Sequence, residues 1–258
     1  MIGAIIGDIV GSRFEFRNCR TKDFEFFHRG CYFTDDSVMT IAIGKAVSEC
    51  GGDTEKLSLF AVKYMQEIGR LFPDCGYGGY FHRWVFSADP QPYNSFGNGA
   101  AMRVSACGDA AKTLEEAKAF SHAVTKVTHN HPEGLKGAEA TAVAVFLAKS
   151  GKSKAEIAAH IRENYYALDF TIDGLRPAYC FDVTCQGSVP QAIEAFLEST
   201  DFEDAVRTAI SLGGDSDTLA AIAGGIAGAF YGVPDEMIRK AKEYLEEPLL
   251  SIVNSISL

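Results

Sequence analysis

The stretch LAAIAGGIAGA at residues 219–229 indicates the fold of this 258-residue chain. Glycines at 224, 225 and 228 lower the helix propensity, so a helix here must recover that cost through close backbone contact with a neighbour. We therefore expect a buried helix at the centre of the molecule. The run is too short to cross a bilayer, which takes about 20 apolar residues, and it predicts a core helix instead.

Helical spacing of apolar residues recurs elsewhere, as in the series Leu57, Phe60, Tyr64, Ile68 and Leu71. Strict alternation is almost absent. The segment from about residue 17 to 33 has some strand character, but it equally fits an ordered loop. These patterns predict an all-α fold, a single compact multi-helix domain over residues 1–258.

Turn and capping signals divide the chain into segments of helical length. Breaks are expected at Gly51-Gly52, Pro73-Asp74, Ser150-Gly151 and Gly232-Val233-Pro234. Four capping boxes are expected to open helices: Thr113 with Glu116, Ser153 with Glu156, Ser188 with Gln191, and Thr200 with Glu203.

The composition restricts the class of protein. Asp and Glu number 34 against 24 Lys and Arg, a net charge of -10, which disfavours general nucleic-acid binding. Seven cysteines without a Cys-x-x-Cys pair favour reduced thiols. The N-terminal sequence MIGAIIGD lacks the basic region of a signal peptide. We expect a soluble cytoplasmic protein without membrane association.

Two motifs place adjacent acids at helix N-termini: TDDS at residues 34–37 and SLGGDSDT at residues 211–218. A helix N-terminus needs only one capping residue, so the second acid is not explained by capping. Two like charges about 4 Å apart repel each other by on the order of 4 kcal/mol at an effective dielectric constant near 20. A bound cation would offset this cost. Carboxylate and hydroxyl oxygens without Cys or paired His favour Mg²⁺, Mn²⁺ or Ca²⁺. Plain N-capping remains the alternative, and spacing alone does not bring the motifs together.

Other segments carry weaker signals. The glycines of SFGNGAAMR at residues 95–103 could hold a phosphate, although an Asn-Gly turn or an ordinary helix-entry loop also fits. HNHP at 129–132 fits a ligand contact or a cap, and GYGGY at 76–80 favours a turn over a ligand loop. Asp8 is expected to be a buried structural acid, with Glu15 on about the same helix face two turns later.

Together these motifs resemble the ADP-ribosylglycohydrolase family in order and over nearly the whole chain. The resemblance implies an all-helical fold, two divalent cations, Mg²⁺ or Mn²⁺, and hydrolysis of the bond between ADP-ribose and its acceptor. The substrate would be an ADP-ribosylated protein or a small ADP-ribosyl compound. At 258 residues the chain is short for this family, so long lids that select acceptors are expected to be absent.

The resemblance also implies roles for individual residues. The implied metal ligands are Thr34, Asp35, Asp36, Asp215, Asp217 and Thr218. The implied substrate contacts are Ser95, Phe96, Gly97, Asn98, Gly99, His131 and, more loosely, Gly78. Attack of a metal-oriented water on the anomeric carbon of the distal ribose would use Asp36 or Glu15 as the base.

Three other functions are compatible with these residues. A protein that binds ADP-ribose or a nucleotide without catalysis could use the same glycine segment. A metal-dependent diphosphate hydrolase would release AMP. A purely structural role would make both acidic motifs simple helix caps.

Overall fold

Helices form nearly all the regular structure of this computed structural model, which describes residues 1–256. The α-helices are α1 Ile2–Gly11, α2 Asp35–Glu49, α3 Thr54–Gly69, α4 Gly79–Phe86, α5 Ser105–Ala110, α6 Leu114–Thr125, α7 Pro132–Lys149, α8 Lys154–Asn164, α9 Ile172–Leu175, α10 Cys185–Glu198, α11 Phe202–Leu212, α12 Ser216–Tyr231, α13 Asp235–Lys242 and α14 Leu249–Ser255. Short 3₁₀ turns lie at Ser12–Phe14 and Asn98–Ala100. Within the described residues, β-pairing is limited to one bridge between Gly97 and Thr184, so the all-α prediction is confirmed.

The centre of the fold is α12, as its composition predicts. Every residue from Ser216 to Ala227 is buried, and α1, α7, α10 and α11 pack around the helix. The closest neighbour is α1, whose glycines at 3, 7 and 11 lie against the α12 backbone. A methyl group on Gly7 would overlap the carbonyl oxygen of Ala220. Small residues on both helices therefore permit their close approach.

All four predicted breaks separate helices. They lie between α2 and α3, α3 and α4, α7 and α8, and α12 and α13. The segment of uncertain type, residues 17–33, is a loop. Arg207 on α11 secures it by donating hydrogen bonds to the carbonyls of Lys22 (2.9 Å) and Phe24 (2.6 Å).

Two of the four predicted capping boxes stand at helix starts. Ser153 forms a complete box, because its hydroxyl accepts from the Glu156 amide and the Glu156 carboxylate accepts from the Ser153 amide. Thr113 caps α6, but the Glu116 carboxylate accepts from Lys112 instead of Thr113.

The other two boxes are wrong. Ser188 lies inside α10, which begins earlier because the Thr184 hydroxyl accepts from the Gly187 amide at 3.1 Å. The cap of α11 is Asp201, one residue after Thr200, and its carboxylate accepts from Asp204 at 2.8 Å. A carboxylate competes well with a hydroxyl for this position, since both are preferred caps.

Two further predictions from the sequence concern the pairing of the cysteines and the association with membranes. All seven cysteines are unpaired. Among residues 1–256, no helix is both long and apolar enough to span a membrane.

Candidate active site

The two acidic helix N-termini open into one cavity of about 340 Å³. Asp35 and Asp36 come from the start of α2, and Asp215, Asp217 and Thr218 come from the start of α12. The remaining walls are formed by residues of five other segments: Glu15, Gly76, Gly78, Gly79, Tyr80, Phe81, Tyr93, Ser95, Gly97, Asn98, Gly99, Met102, Arg103, His129, Phe181 and Val183. Segments far apart in the chain thus meet around a single acidic space.

Asp8 fixes the start of α2. Its buried carboxylate accepts hydrogen bonds from the Thr34 amide (3.0 Å), the Thr34 hydroxyl (2.7 Å), the Ser37 amide (3.0 Å) and the Ser37 hydroxyl. The Thr34 hydroxyl also accepts from the Asp36 amide at 3.2 Å and caps the helix. Asp8 is therefore the structural acid that the sequence predicts. Thr34 lies behind the acidic cavity, against Asp8, and its role as a metal ligand stays a prediction.

A Gly-Gly turn fixes the start of α12. Gly213 and Gly214 have φ angles of 76° and 72°, a region that glycine enters without strain. The Asn18 side chain pairs with the backbone of Gly214, accepting from its amide (2.9 Å) and donating to its carbonyl (3.0 Å). Arg20 donates to the carbonyls of Leu212, Arg176 (2.6 Å) and Tyr179 (2.8 Å). The loop at residues 17–33 thus positions the second acidic motif.

Glu15 completes a group of three carboxylates. It lies just beyond the 3₁₀ turn that follows α1, so it is outside the helix that carries Asp8. One carboxylate oxygen each from Glu15, Asp215 and Asp217 lies within 4.8 Å of the others. Oxygen atoms at such spacing can share a cation.

Burial and mutual repulsion keep these acids partly protonated in the absence of a cation. Burial, with the charges of Asp215 and Asp8, raises the pKa of Glu15 to about 7. Burial, with the charges of Asp8 and Asp215, raises the pKa of Asp35 to about 8. Burial, with the charges of neighbouring carboxylates, also raises the pKa values of Asp36 and Asp217 well above their usual range.

The donor set fits hard divalent cations. Asp36 Oδ2 and Asp217 Oδ1 are buried without any hydrogen-bond partner. A buried carboxylate oxygen is normally paired, so these two are available to a ligand. The surrounding donors are carboxylate and hydroxyl oxygens, which suit hard divalent cations.

The predicted phosphate segment lies beside these acids. The backbone at residues 96–98 pairs with residues 183–185, because Asn98 donates to Val183 (2.8 Å) and Cys185 donates to Phe96 (2.9 Å). The Asn98 side chain donates to Asp215 at 2.7 Å and joins the segment to the α12 motif. Ser95, Gly97, Asn98 and Gly99 therefore face the same cavity as the acids.

Of the two histidines near residue 130, the structure places His129 in the cavity wall. His131, the predicted contact, caps α7 by accepting from the Glu133 amide at 3.1 Å. Its ring lies 5.1 Å from that of Phe96, which is 42% exposed at the neighbouring surface. The Pro at position 132 was a signal for this cap, since proline favours the first position of a helix. Substrate contact by His131 and Phe96 stays a prediction.

The glycine-rich segment at residues 76–80 forms part of the cavity wall. The sequence favoured a plain turn here, but Gly76, Gly78 and Gly79 all line the cavity. Gly76 has a φ angle of 115°, and a side chain on it would come 2.9 Å from Asp35 Oδ1. This glycine therefore leaves room for the Asp35 carboxylate.

Comparison with known proteins identifies the family. A family model described as ADP-ribosylglycohydrolase matches residues 1–257. The chain belongs to the ADP-ribosylglycohydrolase family.

Two curated members illustrate the relationship. ADP-ribosylhydrolase ARH3 of Homo sapiens is 27% identical over 332 aligned positions, which cover 97% of this chain and 90% of the human protein. ADP-ribosyl-(dinitrogen reductase) glycohydrolase of Rhodospirillum rubrum is 25% identical over 263 positions, which cover 91% of this chain and 85% of that protein. The alignment with the human member is longer than this chain, so the human protein carries insertions that this family member lacks.

A solved structure shows the same fold. It is described as an ADP-ribosylglycohydrolase-related protein complex and superposes with a TM-score of 0.69 at 22% sequence identity. The match covers 97% of this chain and 94% of that chain.

Proposed function

We propose that this protein is a Mg²⁺- or Mn²⁺-dependent glycohydrolase that releases ADP-ribose from an ADP-ribosylated protein or a small ADP-ribosyl compound. One observation carries the proposal: two acidic helix N-termini and Glu15 face one cavity, and two of their buried carboxylate oxygens have no protein partner. Membership of the family supports it, and both curated relatives are named for hydrolysis of ADP-ribosyl bonds.

The acids would hold two divalent cations. The ligands would be Asp35, Asp36, Asp215, Asp217 and Thr218, together with Thr34 if its hydroxyl turns from Asp8. When bound, the cations would orient the ribose hydroxyls and the attacking water and would stabilise developing negative charge. This protein's own contribution is to hold the carboxylates at the ends of two rigid helices, which keeps the site preorganised.

The glycine segment would bind the diphosphate and ribose. Ser95, Gly97 and Gly99 line the cavity without bulky side chains, so the backbone can approach an anion closely. His129 faces these glycines, because its Nε2 lies 3.6 Å from the position of a side chain on either Gly97 or Gly99. The bond to be cleaved would then lie on the acidic side of the cavity.

Glu15 is the better of the two candidate bases. Glu15 lies in the cavity wall and is only half-buried, so its carboxylate could reach a water molecule in the open part of the cavity. Asp36 is more deeply buried and offers an unpaired oxygen to a cation. Glu15 would therefore accept the proton of the attacking water, and Asp36 would be a metal ligand.

The test is incubation of the purified protein with arginine-linked and serine-linked ADP-ribosyl peptides. Each reaction is run with Mg²⁺, with Mn²⁺ and with a chelator, and the products are separated by chromatography. We expect intact ADP-ribose in the presence of one of the metals and none with the chelator. AMP as the product would show a diphosphate hydrolase instead.

Variants separate catalysis from binding. We expect Asp217→Asn to abolish release of ADP-ribose and Glu15→Gln to lower the rate while retaining ADP-ribose binding. Asp89→Asn, at an exposed position outside the cavity, is the matched control and should retain full activity. Binding of ADP-ribose by the wild type without any release would support a non-catalytic binder. No binding of Mg²⁺ or Mn²⁺ by calorimetry would support a structural role for the acids.

The cysteines support a proposal about the compartment. All seven are free thiols, a state that a reducing cytoplasm maintains. We propose that the protein works there.

A further inference from the structure

A buried arginine lies behind the glycine segment. Arg103 is fully buried and lines the cavity, and within residues 1–256 no carboxylate forms an ion pair with it. Its guanidinium lies over the Phe81 ring at 5.5 Å, while Nε and Nη1 have no hydrogen-bond partner. Burying an unpaired charge is costly, so an arginine at this position calls for a functional explanation.

The remaining guanidinium nitrogen leads to His129 through a threonine. Arg103 Nη2 donates to the Thr128 hydroxyl at 2.6 Å. The Thr128 hydroxyl in turn lies 2.7 Å from Nδ1 of His129, and Arg103 Nη2 is itself 3.5 Å from that nitrogen. Thr128 is fully buried, so water does not compete for its hydroxyl.

The arrangement determines which ring nitrogen carries the proton. A guanidinium only donates hydrogen bonds, so the Thr128 oxygen accepts from Arg103 and its own proton is free to be donated. That proton can reach His129 Nδ1 at 2.7 Å or the Thr125 carbonyl at 3.4 Å, and the shorter contact is preferred. A proton on Nδ1 would also face the Arg103 Nη2 donor. Nδ1 is therefore the acceptor, and the ring proton lies on Nε2.

The charge on the ring follows from the same neighbours. Burial, with the Arg103 charge, lowers the pKa of His129 well below its usual value, so the ring is neutral at physiological pH. Its Nε2 points toward Gly97 and Gly99, where the cavity has no side chains. The cavity thus presents one neutral N–H donor of fixed direction.

We propose that Arg103, acting through Thr128, is a positioning residue that holds His129 as the tautomer with its proton on Nε2, ready to donate to an oxygen of the bound diphosphate or ribose. The identity of this ligand rests on the proposed function, but the tautomer is a property of the free protein. An experiment can therefore contradict the proposed ligand without contradicting the proposed tautomer, and the reverse.

The experiment measures the tautomer directly by long-range proton–nitrogen NMR of ¹⁵N-histidine-labelled full-length protein at neutral pH. The His129 signals are assigned by their loss in His129→Gln. We expect the Nε2–H pattern in the wild type and in Thr128→Ser, which keeps the hydroxyl. Thr128→Val has nearly the same volume but no hydroxyl. His129 Nδ1 then keeps only the longer Arg103 contact of 3.5 Å, so we expect a mixture in which the Nδ1–H form is populated beside the Nε2–H form.

Calorimetric titration with ADP-ribose and Mg²⁺ supplies the second readout. One neutral hydrogen bond contributes about 0.5 to 1.5 kcal/mol, so Kd should rise about two- to twelvefold in Thr128→Val and stay unchanged in Thr128→Ser. Thermal unfolding of both variants checks that they fold, and Thr128→Ala replaces the valine variant if that one does not.

Two results would overturn the positioning role: an Nδ1–H or doubly protonated His129 in the wild type, or an unaltered Nε2–H pattern in the variants without a hydroxyl. The wild-type spectrum decides the first without any variant. If the wild type shows the expected tautomer but does not bind ADP-ribose, the proposed function fails and the positioning role stands.

Discussion

Asp8 holds the start of α2 through four hydrogen bonds to its buried carboxylate. Asp8→Ala leaves two buried amides and two hydroxyls without their acceptor, and each unsatisfied buried group costs about 1 to 3 kcal/mol. We expect the free energy of unfolding in urea to fall by at least about 3 kcal/mol. Asp35 and Asp36 are the first residues of the helix that Asp8 holds in place, so the substitution should weaken metal binding as well.

The matched control is Asp53→Ala at the start of α3. Asp53 also accepts from two backbone amides, those of Glu55 and Lys56, but its side chain is exposed, so water can replace it. We expect Asp53→Ala to lower the free energy of unfolding much less than Asp8→Ala does. Equal losses in the two variants would show that Asp8 acts as an ordinary cap.

Single residues were predictable where their chemistry is local. The burial of Asp8 followed from its apolar neighbours. Gly97 lies in the cavity wall, which fits the phosphate-binding interpretation of its segment better than the plain turn. Asn18 and Arg20 were missed, because their partners at residues 212–214 are nearly 200 positions away. His129 and His131 share a motif, and only the fold shows that one faces the cavity while the other caps a helix.

At the scale of elements, the contact between α1 and α12 sets the position of the acids. Gly7→Ala puts a methyl group into the backbone of α12 at Ala220 and Ala221. Overpacking of this kind typically costs 1 to 3 kcal/mol, and here rigid backbone opposes relaxation, so we expect about 3 kcal/mol in the free energy of unfolding. The urea midpoint would measure this loss.

Gly79→Ala serves as the control for this substitution. Gly79 begins α4, and a side chain there would meet nothing within 4 Å. Alanine favours the helix over glycine, so stability should stay the same or rise slightly. A similar loss in both variants would mean that the helix contact is not the cause.

Helices were predictable from periodicity, but their pairing was not. The glycines of α12 indicated close packing, yet the partner stripe at residues 3, 7 and 11 lies in a segment that reads simply as apolar. The starts of α10 and α11 were misplaced because Thr184 and Asp201 compete as caps with the residues chosen. Such competition depends on where the preceding loop enters, which the fold decides.

For the molecule as a whole, the acidic cavity makes stability depend on pH and on cations. The order of the motifs predicted the family fold, but the meeting of two acidic turns in one cavity required the tertiary structure. Burial and mutual repulsion raise the pKa of Glu15 to about 7 and of Asp35 to about 8, above their usual values of 4.5 and 3.8. At pH values between the usual pKa of each carboxyl group and its raised pKa, the folded protein without metal retains a proton that the unfolded chain has released.

Stability in a chelator should therefore fall as pH rises from about 5 to 8, because each extra proton held by the folded state gives a slope of about 1.4 kcal/mol per pH unit. Added Mg²⁺ should stabilise the protein more at pH 8 than at pH 5, since cations bind the ionised carboxylates. Urea unfolding across this range, with chelator and with Mg²⁺, measures both effects, and Asp217→Asn should reduce each. Stability that rises with pH in the chelator, or an equal Mg²⁺ effect at both ends, would exclude a cation-binding cluster of raised pKa.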